Sequence, residues 1–152
     1  MREKAGLEVA DGVVLLYKHG RGGFVGGRMI PAFNQSGVLP PFLTGSTPAD
    51  PFAVSPYETT MLHLVQRYGI SFPRRKQLSG LLKMRHQLRQ IGVAEAFQWI
   101  DGSFCEDIEA TEDRDPGDID VVTFGTLPPR FASVQAALDA HPELFSPAQS
   151  KQ

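Results

Sequence analysis

The chain has 152 residues, 41% of them hydrophobic and 21% charged, with a formal charge of −2. This suits one soluble domain with a real core, and the single cysteine, Cys105, excludes an internal disulfide framework and fits a reducing, cytoplasmic setting. No apolar run approaches the ~20 residues of a membrane helix, so no membrane association is expected.

The charge is unevenly spread. Thr59 to Gly92 carries seven Lys or Arg and no acid, whereas Glu95 to Asp120 carries ten acids and one base, Arg114. Residues 1–28 differ in character from the rest of the chain. Val13 to Tyr17 spells one short strand, and His19 to Arg28 contains five glycines, so the segment is expected to be a flexible N-terminal extension, with Met29 as the natural start. Residues 29–55, rich in proline, are expected to wrap the surface, pinned by Phe33, Leu39, Phe42 and Phe52. Residues 56–145 then form the main domain, and 146–152 a frayed tail.

Within that domain a helix is expected from Ser55, with Pro56 at its first position and Glu58 completing a capping box. Its stripe is Tyr57, Met61, Leu64, Val65 and Tyr68, and Gly69 ends it. A second helix from Ser71–Arg74 to Gln90 presents Leu78, Leu81, Leu82 and Leu88, with Gly92 as its stop. The two make a helical hairpin whose outer face is basic; that face is read as a solvated one that balances the acidic loop, with contact to a nucleic-acid backbone or nucleotide phosphates as the alternative. A strand comes next over 95–100, in which Trp99 and Phe97 alternate as core residues. A second strand over 119–124, apolar at nearly every position, is expected to be central in a sheet. A last helix spans about 131–140, with Phe131, Val134, Ala137 and Leu138 inward.

Chemistry concentrates between the two strands. Gly102 permits a sharp turn and close approach of a ligand. Ser103 is placed to cap a short helix near Phe104, whose N-terminus would welcome an anion. Asp118 and Asp120 stand two residues apart on the second strand, roughly 6.5 Å, and point to one face. Such a pair suits a hard divalent cation. The alternative is a plain turn beside a solvated strand edge.

The run Phe97-Gln98-Trp99-Ile100-Asp101-Gly102-Ser103-Phe104, then Pro116-Gly117-Asp118-Ile119-Asp120-Val121-Val122, resembles the nucleotidyltransferase superfamily of the DNA polymerase β type. It looks like an uncharacterised bacterial branch that also carries the stretch seen here as Ile30-Pro31-Ala32-Phe33-Asn34-Gln35-Ser36-Gly37-Val38-Leu39-Pro40-Pro41. The resemblance covers about Met29 to Phe145. It implies an α/β, more loosely α+β, fold: a small mixed sheet with packed helices, lacking the last strand or strands. It further implies that Asp118 and Asp120 bind Mg²⁺, that Gly102 and Ser103 hold the phosphates of a nucleoside triphosphate, and that a nucleotidyl group passes to a hydroxyl on protein, RNA or a small molecule.

The third carboxylate of that family is missing. After Phe124 the only acids are Asp139 and Glu143, in or after a helix. Asp101 is the nearest internal substitute, with a turn-stabilising role as its alternative. Two other functions therefore stand beside the enzyme: an inactive binding module, as in a toxin–antitoxin or defence pair, and a truncated product. Other features carry less. The remaining acids fail the helix-loop-helix calcium spacing, since a frame from Asp113 puts Asp118 and Phe124 where Gly and Glu belong. His63 and His86 lack metal-ligand spacing and are expected on the surface. Cys105 is expected to be a buried small hydrophobe rather than a nucleophile.

Overall fold

A computed structural model describes residues 14–16, 30–47, 49–50, 53–93 and 96–144. The predicted frayed tail, Phe52 and the glycine-rich run before Arg28 lie outside them. Two helices, α1 (Met61–Tyr68) and α2 (Phe72–Gln90), form the predicted hairpin. Gly69 closes α1, and the Ser71 hydroxyl caps α2 by accepting from the Arg74 N–H, with Pro73 in the first turn where its missing N–H costs nothing.

The start of α1 differs from expectation. The Ser55–Pro56 peptide is cis, and Tyr57–Thr59 is a strand, β2, instead of a first helical turn. Tyr57 and Thr59 are buried while Glu58 between them is half-buried, the two-residue period of a strand. Sheet pairing here overrides the local capping signal, and Thr60 caps α1 instead.

The sheet has the order β2-β1-β3-β4, where β1 is Val14–Leu16, β3 is Ala96–Asp101 and β4 is Asp120–Gly125. β1 runs parallel to β2 and antiparallel to β3, and β3 and β4 are antiparallel. The fold is therefore α+β with a small mixed sheet. The short strand expected near Val13–Tyr17 lies between β2 and β3, so part of the predicted N-terminal extension belongs to the sheet.

β3 alternates cleanly. Gln98 and Ile100 are buried toward the helices, and Phe97, Trp99 and Asp101 take the other face. Ile100 joins Leu39, Tyr57, Leu64, Tyr68, Leu78, Leu81 and Phe104 in the main core, each contributing roughly 1.5–3 kcal/mol by burial. Two expectations fail at this sheet. β4 is an edge strand rather than a central one, and its residues other than Val121 are exposed. Trp99 and Phe97 are half-buried on the face without helices, where Phe97 stacks on Phe124 at 4.8 Å and Trp99 meets Phe124 at 5.1 Å. An unbroken apolar run does not say which of its sides the fold will cover. The last helix, α4 (Val134–Ala140), is shorter than expected. It buries Ala137 and leaves Val134 exposed.

The wrap over 30–43 owes its shape to Asn34 and Gly37. The Asn34 side-chain oxygen accepts from the N–H groups of Ser36 and Val38. Gly37 has φ +77°, and a Cβ there would stand 2.5 Å from Thr111 Cγ2. Its carbonyl accepts from the Asp107 N–H at 2.7 Å, tying the wrap to α3 (Ile108–Glu112).

The expected basic outer face is exposed at Arg75, Lys76, Lys83 and Arg89, but one member of the run, Arg74, is turned inward. Arg74 is 1% exposed. Its Nε and Nη2 grip both oxygens of Glu109 at 2.6 Å, Nη1 donates to the Phe104 carbonyl at 2.7 Å and Nη2 to the Glu106 carbonyl at 2.6 Å. Ser71 Oγ also donates to Glu109. Arg67 lies over the Phe33 ring at 4.2 Å. The guanidinium hydrogen bonds hold the Glu109 carboxyl below the usual carboxylate range. A carboxylate with a lowered folded pKa stabilises the fold above its unfolded value of about 4.3, and that stability disappears as pH falls through the lowered value. Glu109→Ala should cost about 2–3 kcal/mol in urea denaturation at pH 7, because it strands the buried Arg74 charge beside a partly exposed site. Glu109→Gln should flatten the loss of stability between pH 5 and the acid transition relative to the parent protein.

Candidate functional site

The turn after β3 requires glycine. Gly102 has φ 83° and ψ −176°, a conformation that side chains avoid. A Cβ at this position would stand 2.8 Å from Asp120 Oδ2 and 3.4 Å from the Asp120 backbone nitrogen. The Asp120 carboxylate thus sits directly against the turn. Asp101 is the cross-strand partner of Asp120, so both occupy the same end of the β3–β4 pair.

Ser103 does not cap the following turn as expected. Gly102 is the cap residue of the 3-10 turn Ser103–Cys105, and no side chain satisfies that end. The Ser103 hydroxyl instead accepts from the Gly117 N–H at 3.0 Å. It fastens the turn to the segment leading into β4, and its own O–H remains a donor. Gln77 of α2 gives a second fastening, donating to the Pro116 carbonyl at 2.8 Å. The turn and the Asp-x-Asp segment are therefore adjacent in space, although 14 residues separate Ser103 from Gly117.

Asp118 precedes β4 and Asp120 opens it, and both are exposed. Exposed carboxylates keep their hydration until a cation replaces it. Among the described residues, no three His, Cys, Asp or Glu side chains converge on one point, so Asp101 does not complete a three-acid cluster. Mg²⁺ is often held by one or two carboxylates together with waters and substrate phosphates. Asp120, against the turn, and Asp118, two residues before it, are the exposed carboxylates available there.

The buried Arg74 explains why the turn is stable. Its hydrogen bonds to the carbonyls of Phe104 and Glu106 hold the chain immediately after Ser103 against α2. Phe104 is fully buried and packs at 5.0 Å from Tyr68, and the Arg74 guanidinium lies 5.4 Å from the Phe104 ring. Sequence reasoning does not single out Arg74, Glu109 or Gln77. Arg74 is spelled like its neighbours in a basic run, and only the Ser-x-Pro-Arg start of α2 marks it as first-turn. Cys105 is fully buried, as expected, and burial pushes its thiol pKa up, which leaves it inert as a nucleophile. His86 is exposed and His63 half-buried.

The fold and site define a small α+β chain in which a glycine–serine turn is clamped against an Asp-x-Asp strand entry. Residues 31–152 match a family of unknown function, DUF6932, and the chain belongs to that family. The match starts after β1. No curated protein and no solved structure matches the chain.

Gly102→Ala should destabilise the protein by about 2 kcal/mol, through a disfavoured φ and a clash with the Asp120 carboxylate. Thermal and urea unfolding would measure this, and a variant as stable as the parent would show that the turn relaxes freely.

Proposed function

We propose that the chain binds a nucleoside triphosphate together with Mg²⁺ at the Gly102–Ser103 turn and the Asp118–Asp120 pair. The observation that carries this reading is the packing of the turn against Asp120: Gly102 leaves no room beside that acid for even a methyl group. The Gly102 bend lies against Asp120, the Ser103 hydroxyl keeps its own O–H as a donor while it holds Gly117, and Asp118 follows Gly117 with its carboxylate exposed; a glycine bend, a hydroxyl donor and exposed carboxylates are the groups that a metal–phosphate ligand needs.

Asp118 and Asp120 would hold the Mg²⁺, which would supply charge neutralisation at the phosphates and orientation for in-line displacement. The Ser103 O–H and the first N–H groups of its 3-10 turn, which by geometry lack acceptors within the turn, would donate to phosphate oxygens. The Ser103–Gly117 and Gln77–Pro116 hydrogen bonds would keep the two halves of the site in register. If the site transfers the nucleotidyl group, the acceptor is a hydroxyl of protein, RNA or a small molecule, as the sequence resemblance implies.

The second reading is a binding module without turnover, and one observation favours it. No third acid joins Asp118 and Asp120 among the described residues, and removal of the acceptor proton would need another group.

Calorimetric titration of a nucleoside triphosphate with and without Mg²⁺ tests the binding. Saturable, Mg²⁺-dependent binding is expected, weakened at least about tenfold by Asp118→Asn or Asp120→Asn, the loss of one charge-assisted contact. Binding unchanged in both variants would overturn the assignment. Incorporation of radiolabelled nucleotide, abolished by the same substitutions, would separate the transferase from the module.

A further inference from the structure

We propose that a hollow between the C-terminal half of α2 and strands β3 and β4 binds the terminal phosphate of a phosphomonoester through Arg85 and Arg89. Arg85 and Arg89 stand four residues apart and so share one side of α2, where two like charges repel. The ion pairs among the described residues are Arg74–Glu109 and Arg114–Glu112. Neither Arg85 nor Arg89 has a carboxylate partner among those residues.

Arg85 is held by a neutral group. Its Nη1 donates to Gln98 Oε1, and Gln98 Nε2 donates to Thr123 Oγ1 at 2.8 Å. Gln98 is 2% exposed, so this chain of hydrogen bonds is built into the sheet and fixes the amide with its oxygen toward the guanidinium. Among the described residues one of its five guanidinium N–H groups is used, which leaves donors for a bidentate partner. Burial, then the charge of Arg89, pushes the Arg85 pKa down. An anion between the two would offset both effects.

The lining of the hollow suits such an anion, and its size takes one oxygen of it. Arg85, Arg89, Gln98 and Thr123 supply its polar wall, and Leu88 and Ala96 its apolar wall. Its volume of about 20 Å³ admits one water-sized atom. One oxygen of a tetrahedral anion enters, and the rest stays at the mouth beside the exposed Arg89. A terminal phosphate, with up to two negative charges and three free oxygens, matches two guanidinium groups better than a phosphodiester does. This site is separate from the turn and the Asp pair. Thr123 is three residues from Asp120, an odd step that puts it on the opposite face of the sheet, roughly 10 Å along the strand.

Methyl phosphate titrated into the full chain at constant ionic strength, with chloride as the balancing anion, tests the proposal by calorimetry or by arginine side-chain NMR shifts. One saturable site is expected, weakened roughly tenfold by Arg89→Gln, the loss of one charge-assisted contact. Arg89 is exposed, so this variant keeps the fold, and thermal melting verifies that. Lys83→Gln, which removes an exposed charge from the same helix, should leave the affinity unchanged, as should Asp118→Asn. Dimethyl phosphate should bind at least about tenfold more weakly. The proposal is overturned by no saturable binding, by equal losses in Arg89→Gln and Lys83→Gln, by loss in Asp118→Asn, or by equal binding of the dimethyl ester.

Discussion

The Arg74 side chain is the constraint on which the rest of the molecule depends. It lies at the first turn of α2, almost wholly removed from water, and makes hydrogen bonds to Glu109 and to two backbone carbonyls of the segment after β3. A buried guanidinium is expensive unless its donors are used, and here they are. The helix hairpin, the turn after β3 and α3 are joined through this one group. Gly37 then locks the N-terminal wrap onto α3, because only a residue without a side chain clears Thr111.

This arrangement positions the glycine–serine turn without help from the turn itself. The conformation of Gly102 is unfavourable for other residues, and its 3-10 turn has no side-chain cap. The surroundings hold it instead: Arg74 from behind, Ser103 and Gln77 through the segment 116–117, and the cross-strand pairing of Asp101 with Asp120. The acids at the strand entry stay exposed while their backbone is fixed. Rigid support under hydrated carboxylates is what the cation site proposed above would need.

Much of the helical hairpin is legible in the sequence because its signals are local. Ser71, Pro73, Gly69 and Gly92 act through their own backbone and nearest neighbours, and the leucines of α2 follow the helical period. The adjacency of Gly102, Ser103, Asp118 and Asp120 is legible as two strands joined by a polar loop. The illegible parts depend on distant partners. Ser55, Pro56 and Glu58 spell a helix start, yet the pairing of β2 with β1 takes those residues into the sheet. Ile119 to Phe124 spells a strand central in the sheet, yet the strand order leaves it at the edge. Arg74 and Arg85 read as members of a solvated basic face. Their partners lie 35 and 13 residues away, at Glu109 and Gln98, and no local rule couples them.

The face of the sheet that carries no helices among the described residues has a further consequence. Trp99 is the single tryptophan of the chain and lies on that face, two residues from Asp101 and in contact with Phe124. Its indole is half-buried and stands one strand repeat from the acids, roughly 7 Å. Tryptophan emission from this protein therefore reports on one place alone, and the molecule carries its own optical gauge of whatever settles over the carboxylate end of its sheet.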